Sequence, residues 1–492
     1  MLFQPDLERT LTRRAFLTRS TTGLGAVALA TLMNPRLLGA TDAAPKTQGA
    51  LKTLHFAPKA KRVIYLFQSG APSHLDLFDP KTKLTEMTGQ ELPPSVRMGQ
   101  RITGMTAGQS VLKCVGPAFE FKRYGKSGME LSSLLPNIGS IADDIALIRS
   151  VHTDPINHDP AVTFFGTGNQ QPGRPTMGAW LAYGLGSENE NLPAFVVLVS
   201  GSGGQALQAR YWGNGFLPGN FQGVQLRSQG DPVLYVSNPP GMSGTTRRQL
   251  LDAMQELNKR QLGVLGDPDI ATHIDNYELA FRMQTSVPEL MDLAKEPKEV
   301  LEAYGAEPGK ASYANNCLLA RRLAERGVRF IQLCHRDWDH HGGLPDGLKA
   351  QTKTTDQASA ALVKDLKQRG LLDETLVIWG GEFGRTAYSQ GDITKASFGR
   401  DHHPRCFSLW MAGGGVKPGL VFGKTDDFGY NIAENPVSVH DLHATMLHLM
   451  GIEHTRFTHR FEGRDYRLTD ISGELVKPLL ARASQSGAGI LT

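Results

Sequence analysis

Five stretches of the chain are nearly unbroken runs of apolar and β-branched residues that close on a glycine or a polar turn: KRVIYLFQSG, LPAFVVLVS, GVRFIQLCH, ETLVIWGGEFG and RCFSLWMAGGG. Runs of this length without polar alternation mark strands buried on both faces of a parallel sheet. Between them, NNCLLARRLAERG and TTDQASAALVKDLKQRG show helical spacing and end at a glycine, where helices commonly stop. Strand, helix and strand in succession predict an α/β protein with a largely parallel sheet flanked by helices. Residues 201–304 depart from this pattern. They begin glycine-rich and aromatic, and from about 246 they read as two or three polar helices outside the main sheet. The expected organisation is one large domain over 41–480 with an irregular and helical insertion at 201–304, and a surface tail at 481–492.

The amino terminus changes the picture of where this domain works. LTRRAFLTRS, with twin arginines at Arg13 and Arg14, precedes the short apolar run TTGLGAVALATLM. This is the pattern of a twin-arginine export signal over residues 1–40, and the run is too short and glycine-rich for a comfortable membrane span. The expected location is therefore periplasmic or extracellular, with no stable membrane span once the signal is removed.

Composition narrows the partners. Of 492 residues, 40% are hydrophobic and 20% charged, the balance of a soluble globular protein. Residues 1–40 carry five arginines and two acidic residues, so their removal lowers the formal charge from +4 to +1. That is no electrostatic footprint for nucleic acid. Cys114, Cys317, Cys334 and Cys406 are widely spaced and form no C-x-x-C pair; they are read either as one or two disulfides or as small buried side chains.

In an open parallel sheet, ligands collect beyond the carboxyl ends of the strands. Four polar clusters fall at such places: Gln68, Ser69, His74, Asp76 and Asp79; Asp337, Asp339, His340 and His341; Glu382 and Arg385; and Asp401, His402 and His403. Imidazole nitrogen with carboxylate oxygen and no thiolate suits a catalytic zinc, iron or manganese rather than a structural zinc finger. Arg385 and Arg400 are candidates for a bidentate clamp on an anionic substrate. In VHDLHATMLHLMGI, His448 is read as structural on an amphipathic helix, and His440 and Asp441 begin that helix.

The motifs LFQSGAPSHLDLFDPK, NHDPAVTFFGTG, GRPTMGAWLAYGLGSENENLPAFVVL, WDHHGG, GGEFGRT, GRDHHP and VHDLHATMLHLMGI resemble, in order, the exported family called domain of unknown function 1501. That family in turn resembles the alkaline phosphatase and sulfatase-like superfamily, which implies an alkaline phosphatase-like fold and hydrolysis of phosphate or, less readily, sulfate esters with one or two divalent metals. The resemblance implies zinc first, with iron, manganese or calcium as alternatives. Its D-x-x-x-H pair falls on Asp337 and His341, with Asp339 and His341 competing, and its later histidine falls on His402. A second ion is matched less well, by Glu382 and Asp76, with Phe383 where the superfamily has a histidine.

At the place of the superfamily's nucleophile, some ten residues before Thr167 and Gly168, stand Asn157 and His158. His158 is left open as a nucleophile, a metal ligand, or an acid or base beside metal-activated water, the last being preferred; Ser69 and Thr163 are the hydroxyl alternatives. No cysteine lies in a formylglycine motif, which argues against that route to sulfate esters. The expected substrate is an anionic ester. The rival expectation is a non-catalytic cell-surface or binding module that keeps the fold.

Overall fold

A computed structural model describes residues 47–227, 232–233, 238, 241–265, 268–393 and 398–481. The expected export signal and almost all of the expected tail lie outside the described residues.

A nine-stranded sheet comprises β1 (Arg62–Gln68), β2 (Ile145–His152), β3 (Phe195–Ser200), β4 (Val224–Leu226), β5 (Phe330–His335), β6 (Thr375–Gly380), β9 (Phe407–Ala412), β10 (Leu420–Phe422) and β11 (Val437–Ser438), of which the five apolar runs form β1, β3, β5, β6 and β9. Between β6 and β9 the chain forms a separate hairpin of β7 (Gly384–Gln390) and β8 (Gly399–His403). The order across the sheet is β10-β2-β9-β6-β1-β5-β3-β4, with β11 beside β2. Every pairing is parallel except the two made by β9. The sheet is thus largely parallel, and β9 is its one reversed strand.

Alternate residues of the central strands face two cores. Ile64 and Leu66 of β1 join Ile331, Leu333, Val377 and Trp379 on one side. There they are covered by α6 (Tyr313–Glu325) and α7 (Leu344–Gln368), which contribute Leu318, Leu319, Leu362 and Leu366. Val63, Tyr65 and Phe67 face the other way, against α1 (His158–Thr167), α2 (Met177–Leu185) and α8 (Val439–Leu449). Burial on both faces is why these strands need no polar positions along their length.

Within 201–304 lie the helical hairpin α3 (Gly244–Leu265) and α4 (Pro268–Met291) and the short α5 (Lys298–Tyr304). The four cysteines are free and buried, so they serve as small apolar side chains. No helix among the described residues is long and apolar enough to cross a membrane.

Candidate metal centre

The carboxyl ends of β1, β5 and β6 are neighbours because those strands pair directly. The turn after β1 begins at Gly70, whose φ of +106° suits glycine and where an added Cβ would lie 2.6 Å from the Asp339 backbone nitrogen. The loop after β5 is anchored by Trp338, wholly buried, whose indole donates to Gln68 Oε1 at 2.9 Å and whose backbone N–H donates to the Ser69 carbonyl at 3.2 Å. With that residue pinned, Asp339 and His341 are presented together. Arg400 N–H donates to the His340 carbonyl at 3.2 Å and ties the loop to β8. The approach is close: a Cβ on Gly399 would fall 2.1 Å from the carbonyl carbon of His341.

Into this junction α1 brings His158, its first residue, and β8 brings His402. One ligand atom from each of His158, Asp339, His341 and His402 lies within 4.8 Å of the others. Asp339 Oδ1 stands 3.2 Å from His158 Nε2, 2.9 Å from His341 Nε2 and 3.5 Å from His402 Nε2. The last two imidazole nitrogens are 3.0 Å apart. Ligand atoms about 2.0–2.2 Å from one tetrahedral ion would be separated by about 3.3 Å.

The three rings share a second feature. His158 Nδ1 lies 2.5 Å from Glu382 Oε1, His341 Nδ1 lies 2.6 Å from Gln390 Oε1, and His402 Nδ1 lies 2.8 Å from the Ile156 carbonyl. Each ring therefore has an oxygen acceptor for an Nδ1 proton, which leaves Nε2 as a lone pair aimed inward. Outer hydrogen bonds of this kind orient metal-binding histidines. His158 Nε2 is buried and makes no hydrogen bond despite its 3.2 Å contact with Asp339. Three inward lone pairs and one carboxylate oxygen fit a divalent metal cation. Phe383 packs against the rings of His158 and His402 at 4.8 and 4.7 Å between centroids, fixing their planes.

The electrostatics agree with this donor set. Burial pushes His402 down to about 4, with Asp339 opposing and Arg385 adding to the fall, so its ring is neutral at neutral pH. Burial also works against ionisation of Asp339, yet the contacts with His158, His341 and His402 and the Arg385 charge hold it far below the usual carboxylate range. Burial lowers His158 as well, but Asp339 and Glu382 on its two sides outweigh that and leave it raised. A proton and a metal ion would compete for the same atom.

Several residues singled out from sequence lie elsewhere. Asp337, at a strained φ of +86°, accepts from Gln351 Nε2 at 3.2 Å and is outside the four-residue group; the D-x-H pair Asp339 and His341 supplies the group instead. Asp76 is outside the group as well, its carboxylate paired with Arg400 Nε at 2.8 Å and accepting from Ser73 and from the Ala118 N–H. Glu382 stands behind His158 rather than in the group. Neither arginine is an open clamp. Arg400, wholly buried, holds Asp76 and the carbonyls of Thr386, Val115 and Gly116. Arg385, 1% exposed, holds the carbonyls of Ala71, Gly70 and Arg400 and donates to Asp339 at 2.6 Å.

Asn157 is exposed beside His158 and makes no capping bond. The Thr163 hydroxyl donates to the Asp159 carbonyl within α1. His440 and Asp441 serve helix ends: His440 Nε2 meets the Gly168 carbonyl at 2.9 Å, and Asp441 forms a capping box with Ser438. Gln390 carries no sequence signal for its role, since it ends a polar hairpin strand that nothing in its spacing ties to His341. A surface cavity of about 500 Å³, lined by Asn157, Ile156, Thr153, Arg101, Pro404 and Arg405 among others, borders the segment that joins β2 to His158.

With this arrangement described, the chain can be placed by comparison. Residues 60–480 match the family described as Protein of unknown function (DUF1501), and the chain belongs to that family. No curated protein sequence matches it. Among solved structures it is similar to an alkaline phosphatase from the Antarctic bacterium TAB5, at 11% identity and a TM-score of 0.28 over 73% of this chain and 92% of that one. It is also similar to a phosphonate monoester hydrolase from Silicibacter pomeroyi, at 13% identity and a TM-score of 0.29 over 71% and 73%. A third similarity is to the lipoteichoic acid synthase LtaP from Listeria monocytogenes, at 8% identity and a TM-score of 0.31 over 83% and 76%.

Proposed function

We propose that the protein is an exported metal-dependent hydrolase of phosphate esters, with sulfate esters as the lesser possibility. The observation that carries this reading is the convergence of three Nε2 lone pairs, each backed by an acceptor at Nδ1, on one oxygen of an ionised carboxylate. His158, Asp339, His341 and His402 would hold a divalent ion, zinc by the chemistry of the donor set. When bound, such an ion polarises an ester oxygen and acidifies water, which removes the need for a hydroxyl or thiol nucleophile from the protein. Glu382, Gln390 and the Ile156 carbonyl keep the three rings in one orientation and tautomer.

The remaining residues act on the substrate side. His341 is the most exposed of the four, with 24% of its side chain accessible, so its side of the centre faces entering ester. Asn157, exposed at the edge of the neighbouring cavity and next in sequence to His158, is the candidate for contact with the bound group. The test is metal content by mass spectrometry on protein purified without chelator, beside a His341→Ala, His402→Ala double variant, followed by a phosphate- and sulfate-ester screen. Near-stoichiometric metal lost in the variant, with ester turnover in the wild type, is expected. Metal-free, well-folded wild type would remove the hydrolase reading and leave the non-catalytic module in its place.

A further inference from the structure

Asp339 Oδ1 has two kinds of neighbour. It faces the three Nε2 atoms, and it also accepts a charge-assisted bond from Arg385 Nη2 at 2.6 Å. The guanidinium is held there by the fold: Nε donates to the Ala71 carbonyl at 2.9 Å, Nη1 to the Arg400 carbonyl at 3.2 Å, and Nη2 also to the Gly70 carbonyl. On the adjoining flank Phe383 closes the space with Ala71 and Ala161. Further ligands for another ion are not at hand. Asp76 is bound to Arg400, and Glu382 Oε1 accepts from His158 and from the Gly70 N–H. Only Glu382 Oε2 is left without a partner, and one carboxylate oxygen does not hold an ion. Among the described residues there is one group with the ligands for a metal.

Resting on the metal centre proposed above, we infer that Arg385 is a built-in second cation, so that the centre takes a single divalent ion and an ester bearing a single negative charge. The charge balance of the walls supports the second half. The ion's two charges and that of the guanidinium exceed by one the two carboxylates beside them, Asp339 and Glu382. The three ligand imidazoles are neutral when they bind metal. A doubly charged monoester would leave one negative charge uncompensated in a buried site, which is costly. A singly charged diester or sulfate-type ester leaves none.

Metal-free protein titrated with Zn²⁺, and in parallel with Co²⁺ followed by its visible spectrum, is expected to saturate at one ion per chain. The one-ion protein is then probed by calorimetry and by the Co²⁺ spectrum with dimethyl phosphate, a monoanion, and with methyl phosphate at pH 8, a dianion. Dimethyl phosphate is expected to bind at least about tenfold more tightly, the ratio that corresponds to one pKa unit of electrostatic discrimination. In an Arg385→Gln variant shown to be folded by circular dichroism, the ion count stays at one and dimethyl phosphate binding falls by a similar factor. A second tightly bound ion, an equal or greater affinity for the dianion, or unchanged anion binding in the variant would overturn this inference while leaving the metal centre standing. No bound ion at all would overturn both.

Discussion

The Nε2 atoms of His341 and His402 stand 3.0 Å apart although both rings have oxygen acceptors for their protons at Nδ1. Two lone pairs at that separation repel unless something positive lies between or beside them. The nearby Asp339 oxygen adds negative charge rather than relieving it, so the arrangement has a net demand for a cation.

That demand predicts a stability effect. A ligand that binds only the folded state stabilises it by about 4 kcal/mol when present at about a thousand times its dissociation constant. Chelation should therefore lower the thermal unfolding midpoint of the wild type, and zinc should restore it. In the His341→Ala, His402→Ala double variant, differential scanning fluorimetry should show the same midpoint with and without chelator.

Glu382 holds His158 from behind at 2.5 Å and is itself fully buried. Glu382→Gln keeps the volume and an oxygen acceptor but removes the charge. Loss of an outer partner of this kind lowers metal affinity by about 10–100-fold. Competition against a chromophoric chelator should find the variant folded, still binding one ion, and weaker by a factor in that range.

Arg400 and Asp76 are both wholly buried and paired at 2.8 Å. Removing one partner of a buried pair strands the other, at a cost of about 3–5 kcal/mol. Arg400→Met should show that loss in chemical denaturation. Protein that remains folded should retain its metal, because Arg400 supplies no atom to the ligand group; the loss of stability is what separates a structural arginine from one that touches substrate.

His443 makes the fold sensitive to acid. Burial pushes its pKa down to about 3, with His440 nearby adding to the fall and the Phe165 carbonyl opposing it. The unfolded chain, with a histidine pKa near 6.5, takes up the proton first as pH drops. Its contribution to stability is thus full above about pH 6.5 and is lost progressively toward pH 3, by about 3 kcal/mol at pH 4.5. Denaturation curves of the wild type should weaken over that window, and those of His443→Gln should weaken less.

Much of this architecture is legible in the sequence because the central strands are buried on both sides and so carry few polar interruptions, Gln332 being one. RVIYLFQ and FIQLCH could hardly be anything else. β8 is not legible: GRDHH is polar throughout, and it becomes a strand because it pairs with β7 and its polar side chains find buried partners. The same holds for the site. Asp339, His341 and His402 stand out because they follow or precede strong strands. Arg385 and Arg400 look like free anion clamps until the fold brings the carbonyls of Gly70, Ala71, Val115 and Gly116 around them. His158 is visible as a chemical residue, but its facing of the other three depends on how β2 hands the chain to α1. Gln390 and the Ile156 carbonyl have no signature at all, since any residue supplies a carbonyl and glutamine at a strand end is unremarked.

The four residues that face one another at the sheet edge come from positions 158, 339, 341 and 402. A growing chain has no more than one of them until residue 339 is made, and it lacks the last until four-fifths of the polypeptide exists. No fragment ending before β8 can carry the full set, so high-affinity capture of an ion belongs to the completed fold. An ion held there would tie three remote segments together, so that local opening of any one of them would weaken its hold.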